Sequence, residues 1–209
     1  MDSKPARTPL VSKLKLDVKA EPLTNLSTYQ RLVRKLIYLT ITRPYIAYAV
    51  SLISPFLHSP TSLHWEIVKR LLRYLKGSVG KGILMKKNGL GHIMGYTDVD
   101  WAGNALDRKS TIGFGTFVGG NLVTWKSKKQ AVIARSSAEA KYRAMASTAC
   151  ELIWLKSLLV DLGFSSTQSM YLHCDNQATN TSHRIRCFTK EQNTLNWIGT
   201  TCVPKFKPK

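Results

Sequence analysis

Acidic residues are scarce in this chain: 12 Asp and Glu stand against 31 Lys and Arg, for a formal net charge of +19 over 209 residues. That imbalance points to a polyanionic partner, nucleic acid first, because clustered Lys and Arg release counterions when they meet phosphates. A solvated basic surface, or a piece cut from a larger and better balanced protein, gives the same number. Cysteine is also sparse. Cys150, Cys174, Cys187 and Cys202 form no Cys-x-x-Cys pair, which argues against a zinc site or a disulfide framework and fits a reducing, intracellular setting. No apolar run approaches the ~18 to 20 residues of a membrane span. The first residues, Met1 to Arg7, are charged and lack the apolar segment of a signal peptide. What is present is enough chain for one domain with an appendage.

Residues 1–27 are polar, proline-containing and aperiodic, and read as a linker or loosely docked arm. Three helical patterns follow. Tyr29 to Leu39 carries Leu32, Val33, Leu36 and Ile37 at helical spacing, and Pro44 opens a second helix in which Ile46, Val50 and Ile53 recur before Pro55. The third begins after Ser59-Pro60-Thr61, presents Trp65, Val68, Leu71, Leu72 and Leu75, and ends at Gly77. Its other face holds Lys69, Arg70, Arg73 and Lys76, which suits a solvated surface or a stripe that tracks phosphates. So short a three-helix unit is expected to have little core of its own and to pack on something else.

Ser78 to Gly91, rich in Gly and Lys, marks a boundary. Strands are expected over 92–98, 112–118 and 121–126, with Gly119-Gly120 as a two-residue hairpin turn. A long helix is expected from Ser137 to about Leu162, stopped by Gly163, and a fourth strand from Met170 to Cys174. Three strands, a helix and a fourth strand predict a mixed α/β sheet.

The chemistry concentrates in Tyr96-Thr97-Asp98-Val99-Asp100-Trp101-Ala102-Gly103, which puts the Asp98 carboxylate at the end of a strand. An acid there, followed by a loop, is a common way to hold a divalent metal against a phosphate. Leu172-His173-Cys174-Asp175-Asn176-Gln177 repeats the arrangement, so two strand-end acids flank the long helix and suggest a site that binds or cuts nucleic acid. Asp100 stands where strand gives way to loop and reads as a solvated or turn-stabilising acid. Lys126, Lys128, Lys129 and Arg135, between the third strand and the long helix, suit contacts to a nucleic-acid backbone, with a solvated loop as the equal alternative.

In this order, YTDVDWAG, RKSTIGF, SSAEAKYRA and CDNQA resemble the ribonuclease H domain of copia-type retrotransposon polyproteins. Upstream, YQRLVRKLIYLTITRPYIAYAVSLIS and HWEIVKRLLRYLKG look like the reverse transcriptase connection that precedes it. The resemblance runs from about Asp2 to Ala178. It implies a ribonuclease H-like mixed sheet preceded by a small helical segment. Residues 1–27 are then an arm, 28–90 the connection, 91–178 a partial ribonuclease H-like domain and 179–209 an off-pattern tail. It also implies that Met1 is an internal methionine of a longer Pol polyprotein, whose other parts are partners of this chain. The polymerase fingers and palm are absent, so the chain alone is not expected to reverse transcribe.

In that family, acidic residues hold two magnesium ions that activate water against the RNA strand of an RNA/DNA hybrid. Carried over by position, Asp98 matches the first acid and Asp175 the third. The family pattern A-E-A-E-Y puts the second acid at Lys141. Glu139 lies two residues earlier, off that helical face, and Ser136-Ser137-Ala138-Glu139 reads as a capping box. An alignment shifted by one turn gives Glu139 the ligand's place instead. A lysine charge ~5 Å from a divalent ion costs on the order of 6 kcal/mol at an effective dielectric near 20. The resemblance therefore implies a ribonuclease H inactive in this copy. Hybrid binding without cleavage, and residual cleavage through Glu139, are the alternatives.

Beyond Ala178 the family pattern stops. One choice of synonymous codons for Cys187 to Phe206, preceded by a single G, reads in the shifted frame as VFHERTKHIELDWHYVRSKV, the string this family shows at that point. A frameshift near residues 178 to 186 is expected to have scrambled the tail. Loss of the closing elements is expected to leave Trp154 and Leu158 exposed.

Overall fold

The first helix, α1, spans Leu26–Leu39 and starts where the Asn25 side chain accepts the Thr28 N–H at 3.1 Å. Its buried residues Tyr29, Val33 and Leu36 recur at intervals of four and three, the spacing that keeps one helical face inward. Pro44 opens a 3₁₀ turn, Pro44–Ile46, rather than the helix itself, and α2 follows over Ala47–Ile53 before a second 3₁₀ turn through Pro55. Helix α3, Ser62–Lys76, begins at Thr61 and is stopped at Gly77. The structure, a computed structural model, describes residues 3–11, 20–89, 92–103, 107–164, 170–174 and 183–185.

These helices close on one another. Tyr29, Val33, Leu36, Ile46, Val50, Ile53, Ile67, Val68 and Leu71 form one buried cluster, and the Tyr29 hydroxyl donates to the Ile53 carbonyl at 2.9 Å. The expectation of a unit with little core is corrected: the turns at Pro44 and Pro55 fold α2 so that three apolar stripes share a single interior. Residues 3–8 are docked on α3. The Ala6 N–H donates to the Arg73 carbonyl at 3.1 Å, and the Pro5 side chain lies where a Cβ on Gly77 would stand 3.0 Å away.

The second architecture is a sheet of strand order β3-β2-β1-β4-β5, built from β1 Ile93–Asp100, β2 Thr111–Val118, β3 Asn121–Lys129, β4 Met170–Cys174 and β5 His183–Ile185. Gly119 and Gly120 link β2 to β3 with φ of 55° and 77°, the left-handed pair that a tight hairpin turn requires. Strand β1 runs parallel to β4, in a register from Met94–Tyr171 to Thr97–Cys174, and β4 runs antiparallel to β5. Parallel strands need a long crossover, and α4, Ser137–Asp161, lies within it. Strand β5 falls in the stretch expected to be off-pattern, so β4 is not the sheet's edge.

Helix α4 packs on β1 and β4 through Met145, Leu152 and Leu155 against Ile93, Met170 and Leu172. Close approach is possible because residue 95 is glycine: a Cβ there would stand 3.0 Å from Leu152 Cδ1 and 3.2 Å from Thr148 Cγ2. The helix ends in a Schellman arrangement, with Gly163 N–H on the Val160 carbonyl (2.9 Å) and Phe164 N–H on that of Leu159 (2.8 Å). Trp154 and Leu158 on its outer face are exposed. By contacts the chain divides into two compact units: residues 1–84 with 102–111 and 126–133, and residues 85–101 with 112–125 and 134–209.

Candidate functional site

Strand β1 alternates. Ile93, Gly95, Thr97 and Val99 are buried, whereas Tyr96, Asp98 and Asp100 are exposed, so both carboxylates stand on the face away from α4. The Val99 N–H donates to Asp98 Oδ1 at 2.7 Å. On that face the Tyr96 ring stacks on its register partner His173 at 4.7 Å, and Phe117 meets it edge-on at 5.5 Å. The tryptophan of the motif is an anchor: its indole N–H donates to the Ala134 carbonyl at 3.3 Å, tying the end of β1 to the segment before α4. Ala102 takes a left-handed conformation, φ 51°, uncommon for a residue with a Cβ, and donates its N–H to the Ser110 hydroxyl at 3.3 Å. Nothing in the motif's composition announces either bond.

At the start of α4 the Ser136 hydroxyl accepts the Glu139 N–H at 3.1 Å. Glu139 Oε2 returns a bond to the Arg135 N–H (2.8 Å), one residue before the one that a capping box uses. Its Oε1 takes both Nε and Nη2 of Arg143, at 3.1 and 2.9 Å. The Arg135 N–H first, and the Arg143 guanidinium second, hold the Glu139 carboxyl below the usual range. Both of its oxygens are thus committed. Lys141 lies one turn before the buried Met145, on the border of the stripe that faces the sheet.

Among the described residues, no three His, Cys, Asp or Glu side chains gather as a group able to hold a metal. Asp98, Asp100 and Glu139 do not form one, and Asp175 lies outside the described residues. Among the described residues, then, the converging carboxylates that a two-magnesium centre needs are not assembled.

The cations are distributed differently from the expectation. Strand β3 continues past Lys126 to Lys129, so Lys128 and Lys129 stand on a strand rather than in a loop. The strand order makes β3 an edge, where lysine is commonly found. Lys126 and Lys128 are exposed, whereas Lys129 pairs with Asp107 at 3.1 Å. Burial alone would raise the Asp107 carboxyl, but the Lys109 N–H and the Lys129 ammonium together hold it below the usual range. Arg135 is exposed. The basic face of α3 is occupied by the chain itself. Arg70 donates to the Thr8 hydroxyl (2.8 Å), Arg73 to the Lys4 carbonyl (2.8 Å) and Lys76 to the Ser3 carbonyl (3.3 Å), while Lys69 pairs with Glu66. That stripe is a docking face for the arm.

No protein-family model and no solved structure matches the chain. Curated proteins do. The chain is 42% identical over 175 residues to the retrovirus-related Pol polyprotein from transposon RE1 of Arabidopsis thaliana, covering 83% of this chain and 12% of that protein. The chain belongs to the copia-type retrotransposon Pol polyproteins. As a Pol segment it spans only 12% to 14% of the transposon polyproteins it matches. It is also 42% identical over 154 residues to an uncharacterized mitochondrial protein of Arabidopsis thaliana, covering 74% of this chain and 64% of that one. A secreted RxLR effector protein of Plasmopara viticola is 39% identical over 128 residues, 61% of this chain and 90% of that protein. No helix among the described residues of this Pol segment is long and apolar enough to cross a membrane.

Proposed function

We propose that the α/β unit of this Pol segment is a ribonuclease H-like module that no longer hydrolyses the RNA strand of an RNA/DNA hybrid. One observation carries the reading. The parallel ladder of β1 and β4 ends on Thr97 and Cys174, each followed in sequence by an aspartate, and α4 supplies the crossover between them. A ribonuclease H-like site needs a third acid from that helix. Here Glu139 is committed to the cap and to Arg143, and the position nearer the sheet is Lys141, whose charge opposes a bound divalent ion.

The exposed Lys126 and Lys128 favour a second reading, that the chain still holds a hybrid by its backbone. A labelled hybrid incubated with the full chain and magnesium tests both. The expected result is no cleavage above the buffer control, together with binding that weakens as salt rises. Lys141→Glu alone is expected to leave the hybrid intact, because the tail also departs from the family pattern. Magnesium-dependent cleavage that Glu139→Gln abolishes would establish residual hydrolysis and overturn the proposal.

A further inference from the structure

The helical unit has a cavity that the ribonuclease H-like reading does not use. Its volume is about 320 Å³, and its walls include Arg43, Tyr45, Ile46, Tyr74, Ser78 and Lys81. Local sequence explains why it exists. Arg43 and Tyr45 flank Pro44 in the turn that joins α1 to α2, while Tyr74 and Ser78 sit at and just beyond the last turn of α3. The turn and the helix end leave a gap floored by the fully buried Ile46.

Three features of the walls agree. No carboxylate lines the cavity, so nothing there repels an anion. Arg43 is held in place by donating Nη1 to the Ser78 carbonyl at 3.4 Å; a guanidinium has five N–H donors, so further ones remain for a phosphate. Lys81 adds a second, exposed cation. Tyr45, 55% exposed, presents a ring at the mouth, and Tyr74 is half-buried. Ligand sites run from about 300 to 1,000 Å³, and a cavity at the low end takes one compact planar group rather than an extended one.

We propose that this cavity binds one unpaired nucleotide of a nucleic-acid strand, its base against Tyr45 and Tyr74 and its phosphate on Arg43 and Lys81. Aromatic rings beside cations, with no base-reading polar array, are the chemistry of sequence-tolerant single-strand sites. A base still paired in a duplex cannot enter. The site lies outside the α/β unit and stands whether or not the ribonuclease H-like reading holds.

Fluorescence anisotropy of the full chain with labelled oligo-dT, and with a dA·dT duplex of the same length, tests it. Tyr45→Ala is expected to weaken oligo-dT binding about tenfold and to leave duplex binding unchanged. Tyr45→Phe is expected to retain binding, and Arg43→Gln to weaken it and flatten its salt dependence. Equal losses for strand and duplex, or no loss in a Tyr45→Ala chain with native circular dichroism, overturn the proposal. Should Tyr45→Ala fail to fold, cross-linking of a 4-thiothymidine oligonucleotide to the unmutated chain decides instead. Adducts on residues 43–46 or 74–81 support the site, and adducts confined to residues 93–161 overturn it.

Discussion

The helical unit and the α/β unit close their interiors in different ways. In the first, long side chains from three neighbouring helices meet in one cluster around Tyr29, Ile53 and Leu71. Among the described residues of the second, the buried side chains fall into two smaller clusters, one around Leu152 and Met170, the other around Val99 and Ala140, both under a single helix. That helix also shows Trp154, Leu158 and Val160 to solvent. A motif that identifies a protein need not sit in its largest contiguous cluster: within YTDVDWAG, Val99 belongs to the smallest of the three.

The harshest test of that contrast is Leu71→Ala. Leu71 is fully buried and touches a contiguous apolar cluster, so truncation is expected to cost about 2–5 kcal/mol. Urea unfolding, with hydrogen exchange read on the α1 to α3 amides, measures it. A loss below about 1 kcal/mol would mean that the helical interior is not closed.

Gly95→Ala probes the other unit. The added methyl lands against Leu152 and Thr148, so α4 must lift or its side chains leave their rotamers, at about 1–3 kcal/mol. Exchange should quicken in α4 and β1 first. Unchanged protection there would show that the sheet and helix pack more loosely than these distances allow.

Much of this was legible before folding because the signals are local. Thr61 and Gly77 bracket α3, the apolar run Met170 to Cys174 is β4, and two glycines make the β2–β3 turn. The shared helical interior was not legible, since amphipathic stripes do not say which stripes meet. Neither was the end of β3, because Lys128 and Lys129 are poor strand formers held there by the ladder with β2. In the site, the Ser136 cap could be read from its spacing. The grip of Arg143 on Glu139 is likewise an i, i+4 signal. The Lys129–Asp107 pair, 22 residues apart, leaves no trace in the sequence.

A smaller effect is expected from Ser136→Ala, about 1 kcal/mol, because the Glu139 N–H loses its acceptor at the helix start. Exchange should rise in the first turn of α4 only. Fraying that reached Thr148 would show that the cap holds more than a turn.

The smallest expected effect is a slope with pH, and it separates the two units. His64 is buried, stacked on Phe56 at 4.0 Å, and its Nδ1 accepts the Thr61 N–H at 3.0 Å. Burial holds its pKa below the usual 6.5, and a proton on Nδ1 would also face the Thr61 N–H. The folded pKa lies below the unfolded one, so the unfolded chain takes up the proton first. The helical unit is then fully stable above about pH 6.5 and weakens as pH falls from there toward the folded value. Glu139 is also depressed, from 4.5, so its share in the α4 cap persists above that pH and fades only below it. Between pH 7 and pH 5, the protection factors of the α1 to α3 amides, corrected for intrinsic exchange, are therefore expected to fall while the first turn of α4 keeps its protection. His64→Gln should flatten the slope, whatever it does to overall stability. If the start of α4 loosened first over that range, the titration would belong to the α/β unit and not to His64.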